Sequence, residues 1–75
     1  MMELDENTLK HDELEALRLA DMDGLCHEDA ADQMHISRAT FGRILERARF
    51  KTAEAILKGK AIKIESFPET QGGQK

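Results

Sequence analysis

The sequence predicts an all-α fold, a three-helix helix-turn-helix domain with a short C-terminal strand, and three observations carry that expectation. Apolar residues recur every three to four positions through the middle of the chain, cap residues punctuate the pattern, and a single short segment near the end alternates as a strand does. Apolar residues make up 40% of the chain, with three Phe and neither Trp nor Tyr, so the core must be built from Leu, Ile, Ala and Met, as in packed helices. Seventy-five residues leave room for one core.

Residues 1–8 show no period and are expected to be a flexible, fraying start. The domain occupies residues 9–65. Its first helix is expected from about Asp12 to Met22, because Asp12 with Glu15 three residues on has the spacing of a capping box. Leu14, Leu17 and Asp21 stand three to four apart, with Ala16, Leu19 and Ala20 widening the apolar stripe, and Gly24 can take the positive φ that ends a helix. A second helix is expected over His27–Met34, with Glu28 and Asp29 in the first turn, where the helix dipole favours negative charge. Cys26 stands in its capping position and is a weak cap.

The segment "HIS" reads as a tight turn, with the chain reversing at His35. Ser37 then caps a third helix. Phe41, Ile44, Leu45, Ala48, Thr52, Ala55 and Ile56 carry its period as far as Leu57, and Gly59 stops it. "KAIKIE" alternates, with Ile62 and Ile64 on one side, and reads as a strand that needs a partner. Residues 66–75, with Pro68 and paired glycines, read as a disordered tail.

The second and third helices have the spacing of a helix-turn-helix: small Ala31 where the backbones cross, Met34 and Ile36 inward on either side of the turn, then Phe41 and Ile44. One residue departs from it. Glycine is the easiest residue at the positive-φ turn, and here the position is His35, a residue type that tolerates it.

With Phe41, Ile44 and Leu45 turned inward, the outer face of the third helix falls to Ser37, Arg38, Ala39, Gly42, Arg43 and, one turn on, Glu46 and Arg47. Such a helix fits the major groove of duplex DNA, where arginine can donate two bonds to guanine and small residues permit close approach. Charge segregation agrees. Residues 1–37 carry eleven Asp/Glu against two Lys/Arg, a formal −9, and residues 38–75 carry nine Lys/Arg against four Asp/Glu, a formal +5, which together give the net −4.

Other chemistry finds little footing. Cys26, His27 and His35 match no zinc-ligand spacing, so neither a metal nor another cofactor is expected, and Cys26 is expected to pack as a small hydrophobe with Met22 and Met34 in the core. No nucleophile is paired with a base, so the protein is not expected to be an enzyme. No apolar run reaches the ~18 residues that span a bilayer and the acidic start lacks a signal peptide's character, so a cytoplasmic protein without membrane partners is expected. A single cysteine fits a reducing compartment.

The quoted segments "DELEALRLAD", "DGL", "AADQMHISRATFGRILERAR" and "AEAILKGKAIKIE", between Leu9 and Ile64, together resemble an uncharacterised prokaryotic family of small predicted DNA-binding proteins. That family's helix-turn-helix is similar to region four of sigma factors, the part that reads a promoter element. The resemblance covers about three quarters of the chain, and "SR-x-TFGRIL-E-x-AR" is its specific motif. It implies a three-helix, winged-helix-sized DNA binder with Arg38, Thr40, Arg43 and Arg47 as carriers of DNA contact. Family members usually carry a basic, cysteine-containing segment before the first helix, which this sequence lacks. Some also continue into a domain resembling nitrogenase cofactor-assembly proteins, and this sequence stops before it.

The expected function is therefore sequence-specific binding of double-stranded DNA by a transcriptional regulator, with Ser37, Arg38, Ala39, Thr40, Gly42, Arg43 and Arg47 as the DNA-binding residues. A homodimer is expected, because the strand at Ile62–Ile64 would leave an edge unpaired in a monomer. The rival reading is a protein-interaction module that docks a transcription complex such as RNA polymerase through an acidic surface of Glu13, Glu15, Asp21, Asp23, Glu28, Asp29 and Asp32.

Overall fold

The structure, a computed structural model, describes residues 5–65. In chain order it consists of strand β1 (Glu6–Leu9), helix α1 (His11–Leu17) running on into a π-helical turn (Arg18–Met22), helix α2 (His27–Met34), helix α3 (Arg38–Lys58) and strand β2 (Ala61–Ile64). It is mostly helical, with a short two-stranded parallel sheet. The tail expected over residues 66–75 lies outside the described residues, as do residues 1–4. Among the described residues no helix is long and apolar enough to cross a membrane.

The partner that β2 needed is within the chain. β1 pairs with it in parallel, Glu6 opposite Ala61 and Leu9 opposite Ile64. The fraying expected of residues 1–8 is thus corrected from Glu6 onward, and the single C-terminal strand becomes one half of a sheet. The unpaired strand behind the expected homodimer is accordingly paired.

The first helix begins one residue before its expected start. Lys10, extended at φ −76° and ψ 163°, precedes it, and the Glu13 carboxylate accepts the Lys10 backbone N–H at 2.9 Å. Glu13 takes the role expected of Glu15, which instead pairs with Arg18 at 2.6 Å. The helix then widens: Asp23 N–H donates to the Arg18 carbonyl at 2.8 Å, five residues back, before Gly24 turns out at φ +75°. A π turn inserts in effect one extra residue, so the apolar stripe slips by roughly 100°. Met22, expected in the core, is for that reason 82% exposed.

The core forms where three helices meet. Ala16 and Leu19 of the first helix, Ala30 and Ala31 of α2, and Phe41 and Leu45 of α3 are buried together, with Leu17, Ala20, Leu25, Met34, Ile36 and Ile44 packed against them. The alanines let the backbones approach closely. Further along α3, Ala48 and Ala55 are buried beneath the first helix and β1, and Leu9 closes that end. Ile56, expected on the same stripe, is 71% exposed, because Ala55 takes the inward position and the next residue is rotated about 100° away.

A polar node fastens the sheet to α3. Glu13 is only 2% exposed, and its Oε1 accepts Lys51 Nζ at 2.9 Å, while the same ammonium donates to the Thr8 carbonyl of β1 at 2.8 Å. Asn7 Nδ2 donates to the Lys51 carbonyl at 2.8 Å and to Glu54 at 3.1 Å. Burial pushes the Glu13 carboxyl up, but the Lys10 amide, Lys51 and the charge of Arg47 outweigh it, so the group stays below its ordinary value of 4.5.

Lys51→Met strands a buried carboxylate and is expected to cost about 3 kcal/mol in urea unfolding. Because the Glu13 pKa is depressed in the folded state, its contribution is fully present above its ordinary value of 4.5 and is lost as pH falls through the lower folded value. The urea midpoint should therefore be steady down to about pH 5 and decline in more acid solution.

Candidate functional site

The site is the corner between α2 and α3 and the outer face of α3 beyond it. Ala30 and Ala31 bring α2 against Phe41 and Leu45, and the His27 ring meets Phe41 edge-on at 5.3 Å between centroids. At the corner His35 is left-handed, φ 60° and ψ 41°, the one non-glycine with positive φ among the described residues. Its N–H donates to the Asp32 carbonyl and the Ile36 N–H to the Ala31 carbonyl, both at 3.1 Å, closing a Schellman-type end with Ile36 folded inward. Cys26 makes no side-chain cap and is exposed, so its expected packing as a buried hydrophobe is corrected.

Ser37 then starts α3. The Thr40 N–H donates to Ser37 Oγ at 3.1 Å, and the Ser37 hydroxyl donates to Thr40 Oγ1 at 2.9 Å. Thr40 is held half-buried by this pair. Ser37, Arg38, Ala39, Arg43 and Arg47 are exposed, and Gly42 is half-buried, so the seven residues expected to form the surface share one end of α3.

Their charges are not equally available. Among the described residues Arg38 and Arg43 make no hydrogen bond or ion pair; the local pairing of Arg43 with Glu46 that the spacing allows does not form. Arg47 also faces outward, but its charge contributes to stabilising ionised Glu13. The neighbouring cations are committed: Arg49 binds both oxygens of Asp21 and Lys51 binds Glu13. Two free guanidinium groups therefore project from the first two turns of a capped helix, each able to offer paired donors to a planar acceptor or phosphate.

Gly42 is unusual inside a helix. A Cβ there would meet nothing within 4 Å, so the fold does not require glycine at a position where it costs about 1 kcal/mol relative to alanine. What its bareness permits is close approach from outside. Phe50, which the sequence reading passed over, lines a shallow depression with Arg43, Glu46 and Arg47 and is 65% exposed. A large aromatic on the polar face was the signal available for it.

The acidic surface is smaller than its residue count suggests. Glu13 is buried, Glu15 and Asp23 bind Arg18, and Asp21 binds Arg49, which leaves Glu28, Asp29 and Asp32 of α2 exposed and without ion pairs among the described residues.

Fold and site together define a small, mostly helical domain whose longest helix turns an uncommitted basic face to solvent. The chain belongs to the family described as "Protein of unknown function DUF134", whose model matches residues 2–71. It is 60% identical over 57 residues to a UPF0251 protein of Chlorobaculum tepidum and 58% identical over 62 residues to one of Dehalococcoides mccartyi. These alignments cover 76% and 83% of the chain but only 37% and 53% of the relatives, so the chain spans about half of their length or less. A UPF0251 protein of a Thermoanaerobacter species is 46% identical over 80 residues, covering 100% of the chain and 71% of that relative. No solved structure gives a significant match.

Ser37→Ala removes the α3 cap and the bond to Thr40, and is expected to lower stability by about 1 kcal/mol, read as a shift in the urea midpoint at unchanged slope.

Proposed function

We propose that the protein binds double-stranded DNA sequence-specifically as a transcriptional regulator, with α2 and α3 acting as a helix-turn-helix and α3 as the helix that enters the major groove. The observation that carries this reading is the pair Arg38 and Arg43, exposed and free of ion pairs among the described residues while the neighbouring Arg49 and Lys51 are bound. Ala39 and Gly42 between them keep the helix surface low enough for guanidinium groups to reach base edges. The Ser37 end of α3 offers backbone amides to a phosphate. Arg47, one turn further, suits a contact to the sugar-phosphate backbone, which positions a protein without reading sequence.

Docking to a transcription complex remains a second reading, and it narrows to Glu28, Asp29 and Asp32 of α2. The two readings involve different helices and so separate by mutation.

Duplexes selected from a random library should bind with an affinity that falls steeply as salt rises. The double variant Arg38→Ala/Arg43→Ala should weaken that binding at least ~30-fold, whereas Arg18→Ala, whose cation is occupied by Glu15 and Asp23, should leave it unchanged. Equal binding by the double variant would reject α3 as the DNA-reading helix. Gly42→Leu separates fold from contact: it should stabilise the protein by about 0.5–1 kcal/mol and yet weaken duplex binding, since a Cβ at this position meets nothing within 4 Å and leucine is the better helix former.

A further inference from the structure

Glu46 stands in the middle of the α3 face proposed to meet duplex DNA, and the fold gives it nothing to do. It is exposed and makes no hydrogen bond or ion pair among the described residues, although Arg43, Arg47 and Arg49 all lie within one helical turn of it. Arg49 is held by Asp21 instead. As the ninth residue of α3, Glu46 also lies beyond the first turn, where the helix dipole would favour an acid. Among the described residues no contact explains a carboxylate there.

Its place on the helix does. Ala39, Gly42, Arg43 and Glu46 follow one another at i, i+3, i+4 and i+7, opposite the buried stripe of Phe41, Leu45 and Ala48, so they form the one helix face that can lie along the floor of a major groove. Glu46 also borders the shallow depression shared by Arg43, Arg47 and Phe50. A carboxylate in that position is selective by its chemistry, because it is repelled by phosphate and can only accept hydrogen bonds. In the major groove guanine and thymine present acceptors. Adenine presents an amino group but sets its N7 acceptor beside it, against the second carboxylate oxygen, whereas cytosine presents a donor with no acceptor on its own edge.

We infer, on the DNA-binding reading of α3, that Glu46 is a specificity-determining residue that accepts the N4 amino group of a cytosine in the major groove, one base-pair step from a guanine bound by Arg43. The step follows from dimensions. Three helical residues rise about 4.5 Å and one base pair about 3.4 Å, so side chains one turn apart address neighbouring pairs. The two side chains are complementary readers, the guanidinium donating to the acceptors of guanine and the carboxylate accepting from the donor of cytosine. The target therefore carries two neighbouring G·C pairs. At any other site the same carboxylate faces a base acceptor or a phosphate and is repelled, so Glu46 raises specificity while lowering affinity for DNA at large.

Selection from a random duplex library with the full chain, with Arg43→Ala, and with Glu46→Gln and Glu46→Ala checked for unchanged helical circular dichroism, tests this directly. Wild-type sites should carry a cytosine next to the guanine whose preference disappears in Arg43→Ala. Glu46→Gln should change that cytosine to adenine, whose N6 and N7 match a glutamine amide, and Glu46→Ala should leave the position without preference. For both Glu46 variants the ratio of affinity for the wild-type site to affinity for an unrelated duplex should fall at least ~10-fold. Unchanged base preferences in both variants, or a gain in affinity that is uniform across all duplexes, overturn the inference and leave DNA binding by α3 in place. A wild-type chain that binds no duplex, or Arg38→Ala/Arg43→Ala binding as tightly as wild type, overturns both.

Discussion

The fold depends on a buried carboxylate being kept ionised. Glu13 sits at 2% exposure where the first helix, β1 and α3 meet, a position that would force most carboxyl groups to take up a proton. Two donors and a neighbouring charge prevent this. The Lys10 amide and the Lys51 ammonium bind Oε1 directly, and Arg47 adds its field, while Oε2 is buried without a hydrogen-bond partner. One side chain thereby starts the first helix and secures it to α3, and through the Lys51 contact to Thr8 it secures β1 as well. An isolated two-stranded sheet is marginal in water, and here its strands come from opposite ends of the described chain. The polar node closes that long loop, and Asn7 reaching over to Lys51 and Glu54 reinforces it.

α3 gains its rigidity from this arrangement. Its 21 residues would span about 31 Å, longer than the three-helix core can cover, and an overhanging helix end would fray without other support. Ala48 and Ala55 carry burial along the inner side, the sheet packs against that end, and Gly59 at φ 70° turns the chain directly into β2. A helix braced over its full length on one side can present the other side as a fixed surface, which is what recognition by side chains requires.

Most of the helical framework was legible because it is written in local chemistry. The bounds of α2, the reversal at His35, the Ser37 cap and the Gly59 stop follow from side chains and φ preferences that act within a few residues, and the structure reproduces each of them. The strand β2 was legible from its alternation. β1 was not, since four residues with no clear period become a strand only when a partner lies 55 positions away. The first helix illustrates a competition between two acids. Asp12 and Glu15 have the spacing of a cap pair, yet Glu13 takes the role because Lys51, remote in sequence, stabilises it there. At the site, periodicity was enough to turn Arg38 and Arg43 outward. It could not show that Arg47 also serves Glu13, or that Phe50 stays uncovered, because both depend on which elements reach the middle of α3.

The segregation of charge takes on a different meaning once the pairs are known. Glu13 with Lys51 and Asp21 with Arg49 bring acidic residues of the first half against basic residues of the second, so part of the segregation cancels locally. Among the charges that survive are those of the two helices that pack at the corner: Glu28, Asp29 and Asp32 on α2, Arg38 and Arg43 on α3. Neighbouring helices pack about 8–10 Å apart, close to one Debye length at physiological salt, so both sets of charge act on the same approaching ligand. Under the proposed reading a nucleic acid is repelled from the flank of α2 and attracted to the outer face of α3. The acidic residues then do more than balance charge. They exclude docking modes that would lay α2 along the phosphates, and so favour the approach in which Arg38 and Arg43 meet the groove.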